Sequence, residues 1–229
     1  MHTAMITDSA RLLRILHLAS PALPIGAFHF SQGLEYAVEA GWVTDESSSL
    51  EWLTGIGRHA IGTLDLPVLL RLHRACSVGD DDSRQRWGRF LLAARETEEL
   101  RAEDRHMGSA LARILRELGA GASGSNGQRT QPGYAEMFAV ACVHWSIPEH
   151  EALQAYAWTW AENQVLAAAK LVPLGQSAGQ RILHSLVPLL EQIATQALGI
   201  EDEDIGACAI MQGLASMRHE CQYTRLFKS

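Results

Sequence analysis

The stretch that decides how the chain is organised is Leu18–Glu35, LASPALPIGAFHFSQGLE. It is apolar but has no helical or strand period, and Pro21, Pro24 and Gly26 interrupt it. Because proline removes a backbone donor and fixes φ, neither a helix nor a central strand can run through residues 20–26. Loops normally lie at the surface, so a loop this apolar must pack against the body of the protein, contact a partner, or both. Taken alone, an internal packed turn is the simpler interpretation.

Segments with apolar residues at helical spacing lie on both sides of this loop. No segment shows the period-2 alternation of a strand. The sequence therefore predicts an all-α fold, a single-domain bundle of about ten helices. The predicted helices lie at about Ser9–Ala19, Ser31–Ala40, Ser47–Thr63, Pro67–Val78, Ser83–Arg95, Thr97–Leu118, Tyr134–Trp145, Glu149–Leu171, Ala178–Leu198 and Ile205–Ser216. Between the sixth and seventh, the Gly- and Ser-rich residues 119–133 predict a flexible loop inserted into this domain.

Composition narrows the classes of protein that the chain can belong to. The 229 residues carry a formal net charge of −7, which argues against a general nucleic-acid or anionic-membrane binder. No apolar run is long enough to span a bilayer. The four cysteines are scattered, without a C-x-x-C pair. Together with the absence of a signal-peptide pattern, they predict a reduced, cytoplasmic protein.

No catalytic or cofactor motif emerges from the sequence. A P-loop needs a Gly-Lys pair, and neither Lys170 nor Lys228 follows a glycine. G-x-S-x-G and H-E-x-x-H are also absent. Since no local arrangement pairs a nucleophile with a base, we expect a protein that is not an enzyme and has no cofactor.

A metal site is the alternative hypothesis. Glu103 and His106 form a Glu-x-x-His one turn after Glu99, which resembles one arm of a di-iron site in a helical bundle. Such a site needs a second Glu-x-x-His, which is missing, and the neighbouring charges are typical of a solvated helix face. His73 and Cys76 also share a helix face, but two ligands do not complete a site. A helical metal-binding or metal-relay protein remains open as the alternative function.

Three stretches favour recognition of a partner. The first is the apolar loop, in which Ala22, Leu23 and Ile25 could hold the body while residues 28–30 face a partner. The second is residues 163–180, where a helix carrying Lys170 breaks and restarts at Gln176; a capped helix–helix turn explains it equally well. The third is the tail, residues 219–229, which is rich in residue types common at interface hot spots. The candidate partner-binding residues are Phe28, His29, Phe30, Lys170, Gln176, Tyr223, Arg225, Leu226 and Phe227.

These stretches together resemble the UreF family of urease accessory proteins. The resemblance rests on LASPALPIGAF and SQGLE near the start, KLVPLGQ and GQ in the second half, and HECQYTRLFKS at residues 219–229. A looser similarity covers ETEELRAEDRHMGSAL, residues 96–111. Where family members often carry Ser-Tyr in the first motif, this chain has His29-Phe30, and that departure leaves the local contact open.

The resemblance implies an all-helical, dimeric and non-catalytic chaperone of urease maturation. Proteins of this family bridge UreD (also called UreH) and the GTPase UreG to apo-urease (UreABC). They are required for nickel insertion into the urease active site and modulate the coupling of UreG GTP hydrolysis. Carried over to this chain, Lys170 would face UreG. The tail residues Tyr223, Arg225, Leu226 and Phe227, with the N-terminal region, would engage UreD.

Overall fold

A computed structural model describes residues 8–120 and 131–229, which form ten α-helices and contain no strand. The all-α prediction is confirmed. The helices are α1 (Asp8–Leu18), α2 (Leu34–Glu39), α3 (Glu46–Ile56), α4 (Leu66–Val78), α5 (Asp81–Ala94), α6 (Glu98–Glu117), α7 (Tyr134–His144), α8 (Glu149–Leu171), α9 (Gln176–Ala197) and α10 (Ile210–His219). Residues 121–130 of the predicted flexible loop lie outside the described residues. In the described ranges, no helix is both long enough and apolar enough to cross a membrane.

The helix ends follow local capping chemistry. Asp45 and Ser48 form a capping box at the start of α3, and the Thr97 side chain accepts a hydrogen bond from Leu100 N at the start of α6. Both contacts satisfy backbone donors that a first helical turn leaves free. Gly79 ends α4 at φ 71°, in the left-handed conformation that glycine adopts without a steric penalty.

Pro67 lies in the first turn of α4, as predicted, but the predicted gap between α3 and α4 is wrong. A π-helical segment, Gly57–Asp65, joins them into one continuous helical run from residue 46 to residue 78. Pro67 lies in the first turn after this segment. There the change from i→i+5 to i→i+4 pairing already interrupts the hydrogen-bond ladder, so the missing proline N–H is tolerated.

The prediction that the second helix begins at Ser31 is also wrong. Gln32 and Gly33 have positive φ values of 54° and 84°, and α2 begins only at Leu34. A Cβ atom on Gly33 would lie 2.8 Å from the backbone nitrogen of Ser216 in α10. The chain therefore turns sharply here because α2 and α10 pack closely. The last helix also begins later than predicted, at Ile210 instead of Ile205.

Two apolar clusters form the core. The larger one includes Leu69 of α4, Leu111 of α6 and Phe138 of α7, all fully buried, so it joins helices on both sides of residues 121–130. The smaller cluster is formed by residues of α2, the segment after it, the end of α8 and the tail. Its buried members are Leu34, Ala37, Val43, Ala167, Ala168, Val172 and Phe227. Since α8 contributes to both clusters, it connects the core to the region where the tail docks.

Candidate partner-binding site

The stretches that the sequence singles out converge on one region of the structure. Lys228 N donates a hydrogen bond to His29 O at 2.8 Å, which joins the tail to the apolar loop. Lys170 Nζ, near the end of α8, lies 5.8 Å from the ring centroid of Phe28 and 5.5 Å from that of Phe227. Loop, α8 and tail are far apart in sequence, so this convergence is a property of the fold.

Glu35 in the first turn of α2 anchors the tail. Its carboxylate oxygens accept hydrogen bonds from Leu226 N at 2.6 Å and from Phe227 N at 2.8 Å, and the residue is buried. Hydrogen bonds to an ionised acceptor in a site that excludes water are stronger than neutral ones. Glu35 therefore fixes the backbone of the tail at the point where Phe227 enters the smaller cluster.

His219 of α10 connects this anchor to α6. Its side chain is fully buried, with Nε2 3.2 Å from a Glu35 oxygen and Nδ1 2.7 Å from a Glu99 oxygen. Glu99 also accepts a hydrogen bond from Arg225 Nη1 at 2.6 Å. Because a carboxylate accepts hydrogen bonds, both contacts of the imidazole are hydrogen bonds only when both ring nitrogens carry hydrogen. The two glutamates, the histidine and the arginine form one network that holds α2, α6, α10 and the tail together.

A second polar contact fixes residue 229. Ser31 N donates to Ser229 O at 2.8 Å, and Ser229 Oγ donates to Glu103 Oε2 at 3.0 Å. Gln32 Nε2 donates to the other Glu103 oxygen at 2.8 Å. Burial raises the pKa of Glu103 to about 7, because removal from water disfavours the charged carboxylate. This carboxyl group is therefore partly protonated near neutral pH.

A buried ion pair lies beneath the tail contacts. Arg95 donates from Nη1 and Nη2 to the two oxygens of Asp65, at 3.0 and 2.5 Å. Asp104 lies 3.9 Å from the same guanidinium, and burial raises its pKa. Gln32, Glu103 and these three residues line a small cavity of about 80 Å³. The π-helical segment positions this site, since Asp65 is its last residue.

Most of the predicted partner-binding side chains are accessible. Phe28 is 53% exposed, Leu226 is 67% exposed and Tyr223 is fully exposed. Lys170 and Arg225 are also exposed, while His29 is half-buried. Gln176 begins α9, but its side chain lies outside the described part of the structure. The loop, α8 and tail thus present aromatic, aliphatic and cationic groups to solvent.

Two predicted partner-facing side chains are buried instead, which corrects their placement. Phe30 is 4% exposed and belongs to the larger cluster, and its ring centroid lies 5.7 Å from that of His106. Phe227 is 5% exposed and belongs to the smaller cluster. An aromatic ring gains more from packing into an apolar cluster than from exposure to water. Both residues therefore hold the loop and the tail in place.

The structure does not assemble the hypothetical metal ligands. Glu99 is paired with His219 and Arg225, Glu103 is buried, and His106 is exposed at the surface. The interpretation of Glu103 as part of a solvated face is wrong, because it shares its helix face with Leu100. Within residues 8–120 and 131–229, no group of three His, Cys, Asp or Glu side chains is placed to hold a metal ion.

The His73–Cys76 pair is likewise engaged in the core. His73 Nε2 lies 2.9 Å from Ile147 O, within hydrogen-bond distance. Burial raises the pKa of the Cys76 thiol to about 11, so the thiolate that would bind a metal is disfavoured.

Sequence reasoning missed the residues that hold the tail. Ser31 and Glu35 lie inside the stretch Leu18–Glu35, but the candidates that the sequence predicts there are Phe28, His29 and Phe30. The sequence carries no signal that singles out Glu35, because a glutamate in the first turn of a helix is ordinarily favoured by the helix dipole alone.

The fold and this site define an all-α protein that docks its own tail beside an exposed, partly aromatic surface. The UreF family model matches residues 43–187. Three similar proteins carry the description urease accessory protein UreF. The one from Alkalilimnicola ehrlichii is 47% identical over 216 residues, covering 94% of this chain and 95% of the relative. Those from Teredinibacter turnerae and Pseudomonas putida (strain W619) are 44% and 45% identical, covering 96% and 95% of this chain and 99% and 97% of the relatives. The chain belongs to the UreF family.

Proposed function

We propose that this protein is a non-catalytic chaperone of urease maturation that acts in the cytoplasm. It bridges UreD and the GTPase UreG to apo-urease, is required for nickel insertion into the urease active site, and modulates the coupling of UreG GTP hydrolysis to that insertion. It works as a homodimer within this assembly. The proposal rests on membership of the UreF family, whose relatives carry the description urease accessory protein.

The observation that carries the proposal is the convergence of the loop, the end of α8 and the tail. Phe28, Lys170 and Leu226 are exposed, although two of these side chains are apolar. Aromatic side chains and arginine are enriched at protein–protein interfaces relative to the rest of a surface, and this region carries the exposed Phe28, Tyr223 and Arg225. The carboxyl groups whose pKa is raised at this site, Glu103 and Asp104, are buried and engaged in contacts within the chain. This supports recognition as the role of the site.

Different parts of the surface serve the two partners in this proposal. The tail, with Tyr223, Arg225 and Leu226, engages UreD together with the N-terminal region. Lys170 faces UreG. Phe227 contributes indirectly, because its burial fixes the backbone on which Leu226 is displayed.

The test is co-purification of the folded chain with tagged UreD and with tagged UreG, separately and together. We expect retention by UreD alone, and retention of UreG when UreD is present. Tyr223→Ala with Leu226→Ala should reduce retention by UreD while circular dichroism stays unchanged, because both side chains are exposed. Val78→Ala, which removes another exposed apolar side chain, is the control and should bind normally. A folded wild-type chain that neither partner retains would refute the proposal.

A further inference from the structure

Two of the contacts that hold the tail depend on a proton. At the start of the tail, His219 lies between two carboxylates, and at residue 229 the Ser229 hydroxyl donates to Glu103. All three of these residues are buried. They are therefore separate from the exposed side chains that the proposed function assigns to partners.

The His219 ring satisfies its two neighbours only in its charged form. Nε2 lies 3.2 Å from Glu35 of α2 and Nδ1 lies 2.7 Å from Glu99 of α6. An ionised carboxylate only accepts hydrogen bonds, so both contacts require hydrogen on both ring nitrogens. If the ring lost one proton, a nitrogen lone pair would face a carboxylate oxygen. An attraction inside a buried site would then become a repulsion.

The proton on His219 also balances the charge of this network. Glu35 and Glu99 contribute two negative charges. Arg225, which donates to Glu99 at 2.6 Å, and the protonated His219 contribute two positive charges. A neutral His219 would leave one negative charge uncompensated while the tail is docked, and such a charge costs more in a buried site than in water. Docking of the tail therefore favours the protonated ring.

A surface depression beside this network contains the neighbouring charged groups. Its charged or titratable lining residues are Glu98, Glu99, His106, Glu220 and Lys228. The Glu220 carboxylate accepts hydrogen bonds from backbone N–H groups in the first turn of α6. Because Glu99 both lines this depression and contacts His219, a proton that leaves the ring has a route to solvent.

Glu103 holds the second proton. Its oxygens accept hydrogen bonds from Gln32 Nε2 at 2.8 Å and from Ser229 Oγ at 3.0 Å. Burial raises the pKa of this carboxyl group to about 7, against the opposing effects of these two hydrogen bonds and of the Arg95 charge, and the Asp104 charge raises it further. Ser229 is one of the groups that cover Glu103. When the tail leaves, the carboxyl group is returned towards water, where its charged form is favoured.

We propose that the tail is a pH-sensitive latch, docked while His219 and Glu103 hold their protons and released as a rising pH transfers both protons to water. The two groups act in the same direction, because docking buries each of them in its protonated form. Undocking therefore releases protons, and the docked fraction falls as the pH rises. The latch controls how the tail is displayed and needs no partner, so it goes beyond the proposed function.

Hydrogen exchange of the full chain tests the latch. The amides of Leu226 and Phe227, which Glu35 holds in the docked tail, would be followed from about pH 6 to about pH 9. Each rate is divided by the intrinsic rate of an unfolded peptide at the same pH. We expect the protection of these amides to fall about tenfold or more over this range, while protection in α8 stays constant.

Two glutamine variants assign the protons. His219→Gln cannot titrate, and Glu103→Gln has nearly the shape of a protonated glutamate. Each variant should remove part of the pH dependence, and the double variant should remove all of it. His184→Gln, which changes an exposed histidine of α9, is the matched control and should keep the wild-type profile. Circular dichroism checks the fold of each variant at each pH.

A measurement on the wild type covers the case in which His219→Gln fails to fold. The His219 ring would be followed by NMR, and its loss of a proton should coincide with the loss of protection at Leu226 and Phe227. A ring that keeps its charge while this protection is lost would overturn the role of His219.

Three further results would overturn the latch. The first is protection at Leu226 and Phe227 that does not change with pH. The second is a wild-type profile that persists in the double variant. The third is a parallel loss of protection in α8, which would show that the whole chain unfolds. None of these results involves UreD or UreG, so the proposed function is tested separately.

Discussion

Replacing Glu35 with glutamine tests whether the tail is held as the structure describes. The Glu35 carboxylate accepts two backbone hydrogen bonds, from Leu226 N and Phe227 N, and faces the ring of His219. Glutamine has nearly the same shape but only one acceptor oxygen, and its amide N–H₂ would point at a backbone donor. The substitution therefore removes at least one charge-assisted hydrogen bond and leaves a buried donor unsatisfied.

The expected magnitude follows from this count. A hydrogen bond to a charged group contributes about 1.5–3 kcal/mol, and the second contact is weakened when the charge is lost. We expect Glu35→Gln to destabilise docking of the tail by about 3 kcal/mol. Since 1.4 kcal/mol corresponds to a factor of ten in an equilibrium constant, the undocked population should rise about 100-fold.

Hydrogen exchange and proteolysis read out this population. Amide exchange of the peptide containing Leu226 and Phe227 should accelerate by about the same factor, while exchange in α8 stays unchanged. Trypsin should cut the Arg225–Leu226 bond faster, because the amide of that bond is the one that Glu35 holds. Glu51→Gln, an exposed change on α3, is the matched control. Tail exchange in Glu35→Gln that equals the control would refute the assignment of Glu35 as the anchor.

Four further substitutions probe the core and its buried charges by urea unfolding. Phe30→Ala should lower the free energy of unfolding by about 3–5 kcal/mol, because Phe30 is buried. Phe28→Ala should change it by less than about 0.5 kcal/mol, because Phe28 is exposed. Equal losses would contradict the placement of Phe30 in the core and of Phe28 at the surface. The folded-state pKa of Glu103 is raised to about 7. Its contribution to the free energy of unfolding is therefore present below pH 4.5 and is lost as the pH rises through 7. In Glu103→Gln this loss should be absent. Between pH 4.5 and 8, the free energy of unfolding of the wild type should therefore fall by roughly 3 kcal/mol relative to that of the variant. Parallel pH profiles of the two proteins would contradict this prediction. Asp65→Asn breaks the buried pair with Arg95 and should cost about 3–5 kcal/mol; a cost below about 1 kcal/mol would show that the pair contributes little.

The helices could be predicted from the sequence because their apolar spacing is strong. The eighth helix, Glu149–Leu171, is predicted to the residue. The π-helical segment was not predictable, since its nine residues form only about two turns, too few to distinguish an i→i+5 period from that of an α-helix. Pro67 is correctly predicted in the first turn of α4, because proline usually occupies that place, but the sequence does not show that helical structure continues into it from α3.

The sequence predicts which segments form the candidate site, but not which residues contact one another there. Glu103 lies three residues after Leu100 and four before Met107, so the helical period itself places it on the buried face. The charge of Glu103 predicts that its side chain is exposed to water. Its burial is tolerated because the fold supplies hydrogen bonds from Gln32 and Ser229. The sequence likewise predicts Phe30 and Phe227 at the surface, and only the fold supplies the clusters that bury them. Aromatic residues in a loop or a tail can face either way until the cluster that receives them is known.

The most direct test of the account is urease maturation in cells that express UreABC, UreD and UreG with or without this chain. The readouts are urease activity and the nickel content of the purified urease. We predict that urease made without the chain is nickel-poor and inactive, and that supplying the wild-type chain restores both. A chain lacking residues 223–229 should fail to restore either, because it lacks the surface that we propose engages UreD. Nickel-loaded, active urease formed equally well without the chain would contradict the account.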